Sequence, residues 1–167
     1  MFFSLVILVF YSLICTISET KEDKNEQLAS ENYLIRKEEV RKQKMISANI
    51  SDIDKMNPYD FEEYIAILFS NLGYRTEQTK LSGDYGADVI AKKGIESICI
   101  QVKLYKGKVS IGAVQEIVSA KSYYNCNKAT IITNSYFTKA ATHLARVNFV
   151  QLIDRDKLVD LILSIKI

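Results

Sequence analysis

The sequence predicts an α/β sandwich with the element order α-β-β-β-α-β-α-β-α. Three observations carry that prediction. An amphipathic helical repeat begins at Pro58. Three strand-like runs then follow in quick succession, as antiparallel hairpins require. Beyond them, short apolar runs alternate with helical stretches, the pattern of strands joined by crossovers. Hydrophobic residues make up 48% and charged residues 25% of the 167, enough to bury a core and too mixed for a low-complexity or acidic-tail chain.

Asn57 offers a helix cap and Pro58 a first helical position. Phe61, Tyr64, Ile65, Leu68, Phe69 and Leu72 then recur at helical spacing, and Gly73 closes the helix. Residues 74–79 read as a strand, 81–86 as a loop, 87–91 as a second strand and 97–104 as a third, central strand. Residues 111–124 are predicted helical, with Ile111, Val114 and Val118 as the core face. Residues 129–133 form a buried strand, 138–147 a helix and 150–153 a short last strand; Asp156 is expected to cap a helix running through Leu163.

Ahead of this domain, residues 2–17 carry no charge and are interrupted only by Ser4, Ser12 and Thr16. As a helix this run reaches about 24 Å, short of a ~30 Å hydrocarbon core but close to it with tilt or bilayer thinning. A cleaved signal peptide is the rival. No Lys or Arg precedes the run, however, Thr16-Ile17-Ser18 is a weak cleavage site, and Ile14 before Cys15 is wrong for a lipobox. The first positive charges, Lys21, Lys24, Arg36 and Lys37, follow it and place the C-terminal side in the cytoplasm. The expectation is a transmembrane anchor in residues 1–18 with the folded domain cytoplasmic; the alternative is export with that segment removed. Residues 19–45 balance acids and bases without a sustained heptad, a solvated helical or flexible spacer. Residues 46–167 are the folded domain. Cys15, Cys99 and Cys126 form no C-x-x-C pair and read as free thiols in a reducing compartment, with no zinc site.

The chemistry concentrates between Leu81 and Lys108. A turn-rich loop, Ser82-Gly83-Asp84-Tyr85-Gly86-Ala87, ends in Asp88 at the mouth of an apolar strand. The next strand carries Gln101 and Lys103, two apart and therefore on one face, with Ile100, Val102 and Leu104 on the other. Paired as a hairpin, the two strands bring a carboxylate, an amide oxygen and an ammonium together. A hard divalent cation such as Mg2+ takes oxygen ligands and keeps waters, and phosphodiester hydrolysis needs its developing charge neutralised. Asp88 is the expected principal metal ligand, Gln101 a neutral oxygen ligand or water-orienting group, and Lys103 the group that positions water or stabilises the phosphate. Glu62, early in the first helix, adds a second carboxylate if that helix packs at the same end. Lys92, Lys93, Lys106 and Lys108, against the single acid Glu96, give a local positive excess suited to phosphates although the net charge is only +2.

Phe61-Glu62, Gly73-Tyr74, Gly83-Asp84-x-Gly86-x-Asp88-Val89-Ile90, Gln101-x-Lys103-x-Tyr105 and Val114-Gln115 resemble the Mrr-type restriction endonuclease domain, a branch of the PD-(D/E)xK nuclease superfamily, over residues 56–153. The resemblance implies a restriction-endonuclease-like αβββαβ core and Mg2+-dependent cleavage of DNA, often methylated DNA, with Mn2+ as a substitute metal. By position, Asp88, Gln101 and Lys103 match the catalytic triplet, Glu62 the helical acid and Gln115 a helix glutamine near the site. Gln101 departs from the superfamily's acid-x-Lys pattern but is the variant typical of this branch. The two N-terminal zones are too short for a target-recognition domain, which leaves substrate choice open.

Taken singly, these residues have plainer explanations: Asp88 as a strand-end acid, Lys103 as a salt-bridge partner, Glu62 as a helix-dipole acid, Asp84 as a turn residue, Gln115 as a surface glutamine, His143 as a surface or packed residue, and Tyr123-Tyr124 as helix-end packing. Only the combined pattern points to catalysis. The first reading is a membrane-tethered DNA endonuclease. A junction-resolvase-like enzyme acting on branched DNA would use the same residues, and a nuclease-derived module that only binds DNA or protein is the reading from another class. The presence of both Asp88 and Lys103 favours activity. Double-strand cleavage needs two sites, so a homodimer on DNA is expected.

Overall fold

The computed structural model describes residues 24–41, 43, 47–79 and 85–165. The chain divides into two compact units, residues 1–43 and residues 44–167. In the first, residues 24–41 form helix α1, exposed along its whole length, which settles the spacer as helical there. The apolar run 2–17 and its reading as an anchor or signal lie outside the described residues. Among the described residues, no helix is long and apolar enough to cross a membrane.

The second unit opens with a single turn, α2 (Ile50–Ile53), which the apolar periodicity does not announce. It is held by a reciprocal cap in which Asn49 Oδ1 accepts from Ser51 N and Asp52 N while Asp52 Oδ2 accepts from Asn49 N. Helix α3 (Pro58–Asn71) follows, capped by Asn57 through Asp60 N at 2.9 Å. Its end has the two bonds expected of a left-handed glycine stop: Gly73, at φ +85°, donates to Ser70 O and Tyr74 donates to Phe69 O. The Phe69 and Tyr74 rings pack 5.6 Å apart across the turn.

Five strands make one sheet in the order β1 (Arg75–Gln78), β2 (Val89–Lys93), β3 (Glu96–Lys103), β4 (Lys128–Thr133), β5 (Val150–Ile153). The first three pair antiparallel, and β3, β4 and β5 pair parallel through α4 (Ile111–Tyr123) and α5 (Lys139–Val147), as the sequence predicts. Helix α6 (Arg155–Ile165) closes the chain. Its cap is Asp154 rather than Asp156: Asp154 Oδ1 accepts from Lys157 N at 3.1 Å, while Asp156 Oδ1 accepts from the Tyr136 hydroxyl at 3.0 Å. The α/β sandwich therefore stands, with one cap moved by two residues.

Alternation along the strands fills two cores. Val89, Ala91, Ile98, Ile100, Val102 and Ile132 pack under α3 and α6 with Phe61, Tyr64, Ile65, Leu158 and Ile162. Ile90, Cys99, Ala129 and Ile131 face the other way, toward α4 and α5, with Ala113, Val114, Ile117, Ala120, Ala141 and Ala145. Gln101 and Lys103, in phase with Cys99, therefore look toward α4.

Candidate active site

The site forms where β2 and β3 part. The second strand begins at Val89, two residues later than the sequence suggests, because Asp88 is drawn into side-chain bonding. Its N–H donates to Ile100 O at 2.8 Å and its carbonyl accepts from Thr79 N at 3.0 Å, so its backbone is clamped between two strands. Its Oδ2 accepts from Val102 N at 2.6 Å. That N–H lies on the β2 side of β3, and a continued ladder would have used it. The Asp88 carboxylate is thus fixed at the strand mouth by the main chain itself.

Gln101 follows Ile100, the last residue of β3 paired with β2 and the acceptor of the Asp88 N–H. Gln101 is 1% exposed. Its Nε2 donates to Glu116 Oε2 at 2.6 Å, and Lys103 Nζ stands 3.3 Å from the same oxygen. A carboxylate oxygen of Glu116 only accepts, so the donor arm of the amide must face it and Oε1 must take the other direction. Gln101 Oε1 is buried and has no hydrogen-bond partner among the described residues.

Glu116 is the residue that sequence reasoning missed. The sheet-facing residues of α4 are Ala113, Val114, Ile117 and Ala120, whereas Ile111 is exposed and Val118 only half-buried. A core face of Ile111, Val114 and Val118 turns the helix by about one residue, roughly 100°. That error exchanges Glu116 for its neighbour. Gln115 is exposed, and the structure does not bring it to Gln101 or Lys103. The overlooked signal was Ala113, Ile117 and Ala120 at helical spacing.

Glu62 is half-buried early in α3, in the layer across the sheet from Glu116. Asp84 lies outside the described residues. His143 is exposed on α5. Tyr123 does more than finish a helix: its ring stacks on Tyr85 at 3.9 Å and 28°, tying the start of the Asp88 segment to α4, and Tyr124 meets it edge-on at 4.9 Å.

The lysines separate into two groups. Lys106 and Lys108 follow Lys103 off the site end of β3 and are exposed. Lys92 and Lys93 stand four and five residues beyond Asp88, roughly 13–17 Å along the strand, at the opposite end of the hairpin. There Lys93 Nζ donates to Leu72 O at 2.8 Å and lies 5.3 Å from the centre of the Tyr74 ring. The expected single patch is therefore split, because a hairpin reversal puts its turn farthest from its open end.

A polar scaffold supports the loop that carries Lys106 and Lys108. Thr133 Oγ1 donates to Lys103 O, Asn134 Oδ1 accepts from Tyr105 N, and Ser135 Oγ donates to Gly107 O, at 2.7, 2.8 and 2.6 Å. Asn134 Nδ2 and both terminal nitrogens of Arg155 converge on Asp54, each at 2.8 Å. The Arg155 guanidinium, with Asn134, holds the Asp54 carboxyl below its ordinary pKa against the opposing effect of burial.

Among the described residues no three His, Cys, Asp or Glu side chains form a ready metal cage. The oxygens carried at this end of the hairpin are the Asp88 carboxylate, held by Val102 N, and the buried, unmatched Gln101 Oε1. They fit a hard divalent cation that retains much of its water, and they do not suit zinc or copper.

A mixed five-stranded sheet with helices on both faces is the architecture of restriction-endonuclease-like folds. A family model described as restriction endonuclease, of the Mrr catalytic type, matches residues 53–162, and the chain belongs to that family. No curated protein matches the chain. Among solved structures, the protein of unknown function AF1548 is similar with a TM-score of 0.57 at 17% identity, over 66% of this chain and 67% of that one. The DNA modification-dependent restriction endonuclease AspBHI is similar with a TM-score of 0.55 at 22% identity, over 75% of this chain and 36% of that one. The MspJI restriction endonuclease, solved in complex with a 27-mer oligonucleotide, gives 0.45 at 20% identity, over 60% of this chain and 26% of that one. The first two likenesses bear on the fold.

Proposed function

We propose that this chain is a divalent-metal-dependent endonuclease that hydrolyses DNA phosphodiesters, with modified DNA among its substrates. The observation that supports it is the meeting of Asp88, Gln101 and Lys103 at one end of the β2–β3 hairpin, inside the segment matched by the family. Asp88 and Gln101 Oε1 would hold Mg2+ or Mn2+, with Glu62 as the further acid. When bound, such an ion neutralises charge on the scissile phosphate and lowers the pKa of water. Lys103 Nζ, kept in place by Glu116, orients the attacking water and offers a cation to the phosphate oxygens. Val102 N–H keeps the Asp88 carboxylate from turning away. Lys106 and Lys108 hold the DNA backbone beside the site by charge, without reading sequence. AspBHI is a DNA modification-dependent restriction endonuclease, and that likeness is the reason to include such substrates.

The deciding experiment incubates the full-length chain with methylated, unmethylated and branched DNA, with and without Mg2+. Metal-dependent cleavage by the wild type, abolished in Asp88→Asn, is the expected result. Cleavage unaffected by Asp88→Asn would remove the active-site assignment, and no cleavage by the wild type under any of these conditions would leave a binding module. We further propose that residues 2–17 anchor the protein with its nuclease domain in the cytoplasm, and that it cuts as a homodimer on DNA. Protease protection and sedimentation on DNA test these; a mature protein beginning near Glu19 outside the cell would overturn the anchor.

A further inference from the structure

We propose that Glu116 is a positioning residue of this site: its carboxylate decides which end of the Gln101 amide faces the reacting groups and where the Lys103 ammonium stands. The inference rests on the endonuclease reading and deepens it.

A terminal amide has two ends of nearly equal shape and opposite hydrogen-bonding character, so an unconstrained glutamine can present either. At 2.6 Å from an oxygen that only accepts, Gln101 has one permitted orientation, with Nε2 toward Glu116 and Oε1 away from it. Burial to 1% keeps bulk water from competing for that bond. The orientation leaves Oε1 without a partner among the described residues, an arrangement that makes sense if this oxygen is a ligand and none if the glutamine only fills space. The same Glu116 oxygen also lies 3.3 Å from Lys103 Nζ, two residues along the same face of β3.

Glu116 is itself fixed by the loop that delivers Asp88. Gly86 has φ +90° and rests so close to α4 that a Cβ there would come within 2.7 Å of Glu116 Cβ. One residue therefore lies against the Asp88 segment through its backbone and Cβ and holds the amide and the ammonium through its carboxylate. Stability does not explain the arrangement, because the side chains of Lys103 and Glu116 are 36% and 52% exposed, and ion pairs at such exposure contribute little. What the pair provides is polarity. The Gln101–Glu116 hydrogen bond should then survive if donor and acceptor are exchanged, lose its fixed direction in Glu116→Gln, whose amide can meet Gln101 with either end, and lose its acceptor altogether in Glu116→Ala.

The test compares the full-length wild type with Glu116→Ala, Glu116→Gln, Gln101→Glu and the double substitution Gln101→Glu with Glu116→Gln. The first readout needs neither metal nor DNA: the side-chain amide NMR signals of Gln101, assigned by their loss in Gln101→Glu. In the wild type they should be shifted downfield and exchange slowly; in Glu116→Ala, which has no acceptor, they should move toward the positions of exposed glutamines. Mn2+ affinity by calorimetry and single-turnover DNA cleavage should both fall about 10–100-fold in Glu116→Gln, the usual range for a group that orients a ligand. Gln101→Glu alone sets two carboxylates against each other and should also lose, since both cannot stay ionised at that distance without cost. The double substitution restores a hydrogen bond of reversed direction and should recover most of the Mn2+ affinity and rate. Losses that simply add in the double variant, or amide signals and Mn2+ affinity unchanged in Glu116→Ala, would overturn the proposal. If the wild type cleaves no DNA, the endonuclease reading fails, while the amide signals and the Mn2+ titrations still decide the role of Glu116.

Discussion

The two ends of the β2–β3 hairpin use similar residues to opposite effect. At the turn end, polar groups are matched: Lys128 Nζ pairs with Glu96 Oε1 at 2.8 Å, Lys93 is bonded to Leu72 O, and Asn127 takes Ser97 N on its Oδ1 while its Nδ2 donates to Ile95 O. At the open end, matching is uneven. Glu116 Oε2 serves two donors, Asp88 Oδ2 takes a main-chain N–H from the neighbouring strand, and Gln101 Oε1 is left over. Charge alone does not distinguish the ends. Burial combined with incomplete satisfaction does, because proteins seldom leave a buried acceptor unmatched without a use for it.

Truncating one lysine at each end should give the largest contrast. Lys103→Ala is expected to slow single-turnover cleavage by about 10²–10³-fold, the effect of removing one preorganised charge worth roughly 3–4 kcal/mol in the transition state. Metal affinity should be largely kept. Lys128→Ala, at the turn end, removes a solvent-screened ion pair and should leave the rate alone. Equal rates for the two variants would mean that the open end is not catalytic.

Glycines provide the next contrast. Gly86 and Gly94 both have positive φ, +90° and +58°. An added Cβ at Gly94 meets nothing within 4 Å, whereas at Gly86 it collides with Glu116. Gly94→Ala should cost about 1–3 kcal/mol from backbone strain and no activity. Gly86→Ala should cost more, by pushing α4 off the loop, and should lower cleavage as well. Urea melts with parallel rate measurements check this, and a Gly86→Ala protein of normal rate would show that the loop and α4 need not touch.

Strand and helix existence was legible because alternation and helical periodicity directly report which faces are buried. The Gln101–Lys103 pair and its facing were legible for the same reason. Glu116 was not, because the face of α4 toward the sheet is made largely of Ala113, Ile117 and Ala120, and alanine is a weak marker of burial beside Ile111 and Val118. The lysine patch was misread because nearness in sequence was taken for nearness in space: Lys92 and Lys93 precede the hairpin turn, and Lys106 and Lys108 leave its open end. Asp88 shortening its own strand was not foreseeable from propensity, since a side chain that competes with the ladder has no periodic signature.

That split makes a graded prediction for DNA affinity. Removing a lysine that neutralises one phosphate should flatten the dependence of log K on log salt by about 0.9. Lys106→Ala with Lys108→Ala should therefore reduce the slope by about 2, and Lys92→Ala with Lys93→Ala by much less, because the latter pair stands away from the site and Lys93 already has partners. Equal reductions in fluorescence-anisotropy titrations would mean that DNA runs the length of the hairpin.

The smallest effect concerns acid. Asp54, beneath the open-end loop, and Glu96, at the turn, both have carboxyl pKa values below their ordinary ones, the first through Arg155 and the second through Lys128. A depressed pKa in the folded state adds stability that is present above the unfolded value and is lost as pH falls through the folded one. For Asp54 the loss begins near the ordinary carboxyl value of 3.8 and continues below it. Asp54 binds the guanidinium through both oxygens and also receives Asn134, whose own oxygen holds Tyr105 N; Glu96 has one lysine contact on an open surface. Between about pH 6 and about pH 3 the wild type should lose urea stability, and Asp54→Asn should lose distinctly less over the same interval, having surrendered that contribution beforehand. Glu96→Gln should track the wild type more closely, because its pair is the more exposed to solvent screening. Asp54→Asn should also loosen the segment carrying Lys106 and Lys108 and so weaken DNA binding at neutral pH, which Glu96→Gln should not. Parallel acid limbs for both variants would show that the two ends of the hairpin are held by interactions of the same strength.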